Sequence, residues 1–181
     1  RAMALFTAMQ ERAETPGGSV ANTISGLGSL GISTAFIGRV ADDDLGLSYA
    51  NAMTAEGTDF PNPPIVNADL PTSRSMIFVS PDGERSMNTY LGISSDVSPL
   101  DVPEEIVSNC TFLFLEGYLF DKDPGKAAFR KAADEAKKSG ARAGISLSDP
   151  FCVDRHRDDF RTLVSGPLDY FLCNEEELKS L

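Results

Sequence analysis

The feature that most constrains the fold is the rhythm of the second half of the chain, where short apolar runs alternate with amphipathic ones. Residues 111–115 (TFLFL), 142–147 and 168–173 (LDYFLC) read as strands. Residues 102–109 read as a short helix before the first of them. Asp123-Pro124 then starts a longer helix whose Ala128, Phe129, Ala132, Ala133 and Ala136 form one stripe up to Gly140, and residues 155–164 make a third. Strands this apolar need cover on both faces, and helices between them supply it, so the pattern predicts a parallel sheet in an α/β fold. At 181 residues the chain holds one sizeable core and requires no second full domain.

The first half is punctuated by glycine, aspartate and proline. A helix beginning near Gly18 is expected to stop at Gly31, with Val20, Ile24 and Leu27 as its buried stripe and positions 18, 22, 25 and 29 on a polar face. Residues 33–40 (STAFIGRV) read as a strand; Asp42, Asp43 and Asp44 offer caps for a helix over 45–56, which Gly57 ends. Pro61, Pro63, Pro64 and Pro71 make 57–71 an extended connection. Residues 72–80 and 84–90, joined by Pro81-Asp82-Gly83, form the best hairpin in the chain. Neither face of it is a plain core face, which suits a flap. Met3, Phe6, Met9 and Gln10 read as the later part of an amphipathic helix, and the last residues stop as a helix begins, so the chain is expected to be a piece of a longer one.

Composition, at 41% hydrophobic and 24% charged, is that of a globular protein, and a net charge of −11 excludes nucleic acid and anionic membrane as the expected partners. Nucleotides stay open, because backbone amides and Mg²⁺ can hold them. Cys110, Cys152 and Cys173 lie far apart without metal-ligand spacing, so buried thiols in a reduced, cytoplasmic protein are expected rather than disulfides. The only histidine, His156, sits among charges in Asp154-Arg155-His156-Arg157-Asp158 and reads as a solvated surface group. Serine-hydrolase and zinc chemistries lack their parts.

Chemistry in such a sheet gathers outside the carboxyl ends of the strands. Glu116-Gly117, Ser148-Asp149, and Asn174 with Glu177 follow the three late strands. Each cluster alone reads equally as helix caps; together with the Gly17-Gly18 helix start they favour a site. Gly17 and Gly18 let a ligand approach the backbone, and Asn22 adds a donor and an acceptor one turn on. Asn174-x-x-Glu177 suits a phosphate and water around Mg²⁺, or equally a capped helix start. Gly26-Leu27-Gly28-Ser29-Leu30-Gly31 spells a dinucleotide fingerprint, yet here the glycines close a helix instead of opening one, and close helix packing at Gly26 and Gly28 is the better reading.

Gly17-Gly18-Ser19-Val20-Ala21-Asn22-Thr23, continuing to Gly38-Arg39-Val40-Ala41-Asp42-Asp43-Asp44-Leu45-Gly46, resembles the first signature of the PfkB (ribokinase-like) carbohydrate and nucleoside kinases. Pro81-Asp82-Gly83-Glu84-Arg85, Ser146-Leu147-Ser148-Asp149-Pro150-Phe151 and Asn174-Glu175-Glu176-Glu177 are similar to the same family, and to its adenosine-kinase-like branch in particular. The resemblance implies a three-layer α/β/α sandwich with a mostly parallel sheet and a small β lid contributed by 58–91. It also implies transfer of the ATP γ-phosphoryl to a hydroxymethyl group of a nucleoside or a sugar, adenosine first and ribose or fructose second. Gly17, Gly18 and Asn22, joined by Glu116, would hold sugar hydroxyls, and Ser75, Ile77 and Thr89 would touch substrate from the lid. Asn174 and Glu177 would arrange the phosphate, with Glu177 holding Mg²⁺ through water. Pairing of two chains through the lid is the assembly it implies. The family's catalytic Asp, in a Gly-Ala-Gly-Asp element, its first core strand and most of its nucleotide pocket have no counterpart here, so these residues alone are expected to be inactive. The rival expectation is a sugar- or nucleoside-binding sensor that kept the fold and lost the chemistry.

Overall fold

The computed structural model describes residues 6–9 and 13–181. Of the expected N-terminal helix, residues 6–8 are helical, while Met3 and Gln10 lie outside the described residues. The elements that follow are α1 (Ser19–Ser29), β1 (Thr34–Ala35), α2 (Asp44–Ala55), β2 (Thr58–Asp59), β3 (Arg74–Val79), β4 (Arg85–Tyr90), α3 (Glu104–Ser108), β5 (Phe112–Glu116), α4 (Asp123–Ser139), β6 (Arg142–Ser146), α5 (Pro150–Ser165), β7 (Tyr170–Leu172) and α6 (Glu175–Ser180).

Strands β5, β6 and β7 form a parallel sheet in that order, with Leu115 opposite Ile145 and Ile145 opposite Phe171. Right-handed crossovers between consecutive strands put α4 and α5 on one face of it. The pleat sends Leu115, Ile145 and Phe171 to that face, where they join Phe120, Phe129, Phe160 and the alanine stripe of α4 in the main core. Phe120 stacks on Phe160 at 4.9 Å between ring centroids and tilts against Phe129 at 5.2 Å. Complete burial of a ring such as Phe160 contributes roughly 1.5–3 kcal/mol.

The same pleat sends Phe114, Gly144 and Glu116 to the opposite face, where α1 packs against β5. Tyr170 lies over Gly144 there and its hydroxyl donates to Leu113 O at 3.4 Å. Cover on this face is partial: Phe112 and Leu172 are 53% and 55% exposed. The expectation of two equally buried faces is thus met fully on one side only.

The strand expected over 33–40 is regular only at Thr34 and Ala35, which pair in parallel with Thr58 and Asp59. Phe36 N–H still donates to Asp59 O at 2.8 Å, after which Pro61 has no N–H to continue the ladder. Among the described residues no ladder joins this pair to β5–β7. Helix α5 starts at Pro150, five residues before the expected start, because Asp149 caps it by accepting from Cys152 N at 2.7 Å. His156 departs from the solvated reading: its ring lies against Phe120, is 14% exposed, and sits 2.7 Å from Asp121 Oδ1, at a break in α5 where its own φ is −128°. All three cysteines are free; burial, with Asp121 adding, pushes the Cys152 thiol up to about 12.

In α1 the buried positions are Val20, Ala21, Ser25 and Gly28; of the expected stripe Val20 is buried, Ile24 half-buried and Leu27 exposed, and Ser25 is buried although it was expected on the polar face. The stripe turns because Gly28 is the point of closest approach. A Cβ there would lie 2.6 Å from Thr58 Oγ1 and 2.9 Å from Thr34 Oγ1, inside the hydroxyl pair that joins β1 to β2. At Gly26 a Cβ would meet nothing within 4 Å. Gly28→Ala is therefore expected to destabilise by about 1–3 kcal/mol, whereas Gly26→Ala stabilises by up to about 1 kcal/mol through helix propensity; urea unfolding of the two variants checks the contrast.

Candidate functional site

The site is built where the start of α1 meets the end of β5. Gly18, the residue before α1, has φ +126°, a conformation that needs glycine, and offers no side-chain cap. Ser19 follows at the first helical position, and its Oγ donates to Glu116 Oε1 across the corner. The free N–H groups and dipole of a helix start favour negative charge, and here the Glu116 carboxylate supplies it from within the chain. A ligand anion at this corner would meet that carboxylate as well as the N–H groups. Tyr49 of α2 closes the back: its Oη would lie 3.9 Å from a Cβ at Gly18, and its ring meets Phe36 and Phe60. Burial, with the Glu116 charge adding, raises the Tyr49 phenol above its ordinary range, so it stays protonated.

Asn22, one turn into α1, is exposed, and among the described residues its amide side chain makes no hydrogen bond. It lines a groove of about 380 Å³ together with Gly17, Ser25 and Gly26 of the same segment and Met53 and Glu56 of α2. The structure thus brings Gly18 and Glu116 together through Ser19, while Gly17 and Asn22 line the groove along the same helix. Ser19 and Tyr49 are the members that sequence reasoning missed. The signal for Ser19 was its place directly after the double glycine; for Tyr49, carried in from another helix, there was none.

Asn174 and Glu177 lie farther along the rim. Glu116 pairs with Ser146 and Ser146 with Leu172, so the start of α6 stands two strands from Glu116, roughly 10 Å. Asn174 Oδ1 accepts from Glu177 N at 2.8 Å, while Glu177 Oε2 and Oε1 accept from Asn174 N and Nδ2 at 3.1 and 2.9 Å. This is a complete capping box with a buried carboxylate. Between the two places Ser148 is held at φ +74°, a strained value for serine at a strand end.

Ser75, Ile77 and Thr89 share one face of the β3–β4 hairpin, with Ser75 and Thr89 directly paired through their hydroxyls at 2.8 Å. Among the described residues no hydrogen bond joins that face to Gly17, Gly18 or Asn22. The hairpin is fastened at its root instead. Asp43 Oδ1 accepts from Gly46 N at 2.8 Å and Oδ2 from Thr72 N at 2.9 Å, and Thr72 Oγ1 accepts from Ala41 N at 2.9 Å.

With this geometry in place, comparison with known proteins assigns the class. Residues 7–181 match the model of the pfkB family carbohydrate kinases, and the chain belongs to that family. It is 41% identical to the adenosine kinase from Sinorhizobium meliloti, with a TM-score of 0.91 over 99% of this chain and 55% of that one. A ribokinase II from E. coli, solved with ATP and Mg²⁺, shares the fold at 20% identity, with a TM-score of 0.78 over 94% of this chain and 58% of that one. Among curated relatives, the 5-dehydro-2-deoxygluconokinase of Halalkalibacterium halodurans is 29% identical over 170 residues, 91% of this chain and 51% of that protein. The chain spans about half the length of such relatives. These likenesses bear out the ribokinase-like α/β fold and the resemblance to the family of carbohydrate kinases. No helix among the described residues is long and apolar enough to cross a membrane.

The root of the hairpin gives a pH-dependent prediction. Burial opposes ionisation of Asp43, but the bonds from Thr72 and Gly46 outweigh it and hold its pKa below the ordinary carboxylate value of about 3.9. Between the two values the unfolded chain binds the extra proton, so stability rises with pH; the contribution is complete above about pH 4 and fades as pH falls through the lower, folded value. Asp43→Ala is expected to cost about 1–2 kcal/mol at pH 7 through the lost cap and the Thr72 bond. Urea unfolding at pH 7 and at about pH 3 checks it, with the gap between variant and wild type narrowing at the lower pH.

Proposed function

We propose that the intact protein transfers the γ-phosphoryl of ATP to a hydroxymethyl group of a nucleoside of the adenosine type, with a free sugar as the second choice. The observation that carries this reading is the corner itself. A helix start with the Glu116 carboxylate held at it by Ser19 is preceded by two glycines and followed one turn on by an exposed Asn22 amide that makes no side-chain hydrogen bond among the described residues, an arrangement that suits hydroxyls better than phosphate. The 41% identity to an adenosine kinase supports the nucleoside, and the 40% identity to a probable sugar kinase keeps the free sugar beside it.

In this reading Gly17 and Gly18 admit the substrate to the backbone, and Asn22 both donates to and accepts from its hydroxyls. The Ser75, Ile77 and Thr89 face of the hairpin covers it and excludes water; pairing of two chains runs through the same hairpin, where Val79 and Met87 are 66% and 62% exposed. Asn174 and Glu177 order the phosphate end. A bound Mg²⁺ supplies charge neutralisation between phosphates. Glu177 fits it as a contact through water, because one carboxylate engaged by Asn174 on both oxygens can accept from hydration waters but is not a full ligand set. The activity belongs to the intact protein; the 181 residues alone are proposed to bind weakly and not to turn over.

One assay tests the reading: ATP consumption by the intact protein against a panel of nucleosides and sugars. Turnover with adenosine is expected, and binding without turnover of any member would assign the chain to a sensor instead. In the same assay two variants separate the two ends of the site. Asn22→Ala is expected to weaken substrate binding by about 1–3 kcal/mol. Glu177→Gln can keep the bond from Asn174 N but puts its NH2 against Asn174 Nδ2 and removes the charge; it is expected to raise the Mg²⁺ requirement by about tenfold while substrate KM stays within about twofold.

A further inference from the structure

We propose that Ser19 is a positioning residue for Glu116, and that through it the corner selects substrates by one particular hydroxyl. The inference rests on the reading that Gly17, Gly18 and Asn22 hold sugar hydroxyls. Its own support is separate and geometric. Glu116 leaves the end of β5 on the face away from α4 and α5, and the one hydrogen bond of its side chain among the described residues comes from Ser19 Oγ to Oε1. Oε2 is left to accept from a ligand. Among the described residues the Ser19 side chain makes this hydrogen bond alone. It caps no helix turn, and the bond that Thr23 makes to residue 19 goes to its backbone oxygen.

A glutamate has three side-chain torsions, and one that must be ordered by its ligand loses affinity in proportion to that ordering. Ser19 fixes one oxygen before the ligand arrives, so the other is presented in a single direction. An ionised carboxylate only accepts, and the neighbouring Tyr49 phenol keeps its proton beside it. The pre-set oxygen therefore rewards a ligand that has a hydroxyl at the matching position. A ligand that lacks this hydroxyl gains nothing from the fixed carboxylate, because the carboxylate is then left facing an apolar hydrogen.

The test is isothermal titration of the intact protein with adenosine, 2′-deoxyadenosine and 3′-deoxyadenosine, with ribose and fructose alongside. Wild type is expected to discriminate against one deoxy analogue. Ser19→Ala is expected to weaken adenosine by about five- to tenfold while changing that analogue by less than about twofold, so the discrimination collapses. Ser19→Thr, which keeps the hydroxyl, restores it. Glu116→Ala removes the discrimination outright, and adding Ser19→Ala to it has no further effect. Equal weakening of adenosine and both analogues by Ser19→Ala, or additive losses in the double variant, overturns the positioning role and leaves the kinase reading intact. Wild type that binds no nucleoside or sugar overturns both.

Discussion

The contact between Ser19 and Glu116 is the interaction on which the rest of the site depends. It joins the positive end of α1 to the carboxyl end of β5, two parts of the chain separated by 97 positions in sequence. Its electrostatic consequence decides the chemistry of the corner. A bare helix start preceded by a double glycine is an anion site in waiting. With a carboxylate already placed there, a phosphate would meet repulsion as well as N–H donors, while a neutral hydroxyl meets both an acceptor and donors. On the proposed reading the double glycine is room for a sugar and not a phosphate cradle.

The division of labour along the rim follows from strand order. Glu116 belongs to β5, whereas Asn174 and Glu177 follow β7, two strands away. That separation suits a substrate held at one end and charge handled at the other, and a phosphoryl transfer needs little more from the protein than positioning and charge stabilisation. The hairpin stands apart from both ends. Its strands pair with one another, and its root is tied to Asp43 at the start of α2, so the flap is carried by the same segment that closes the back of the corner with Tyr49.

How much of this was legible in the sequence varied with how local the cause is. The alternation of helices and strands after residue 101, the stripe of α4 and the hairpin all came from short-range periodicity and turn chemistry, and the structure carries them. The strand over 33–40 was overread because its apolar run says nothing about whether a partner can donate to it, and Pro61 cannot. The buried stripe of α1 was misread because hydrophobicity pointed to Ile24 and Leu27, whereas packing space pointed to Gly28, whose neighbours Thr34 and Thr58 come from other elements. His156 looked solvated from its charged flanks, yet Asp121 and Phe120 reach it from another element. Of the candidate site, Gly17, Gly18, Asn22 and Glu116 were named from sequence, but the serine that joins the start of α1 to Glu116 was not, since its contact depends on a pleat direction that one-dimensional spacing does not record.

The central claim is that the Gly17, Gly18 and Asn22 corner takes substrate hydroxyls and leaves phosphate to the far end of the rim. A crystal structure of the intact protein with adenosine and a non-hydrolysable ATP analogue tests it most directly. The account predicts ribose hydroxyls within hydrogen-bond distance of Asn22 and Glu116, with the triphosphate on the side of Asn174 and Glu177. Phosphate oxygens seated on Gly17 and Gly18, with the ribose elsewhere, would contradict it.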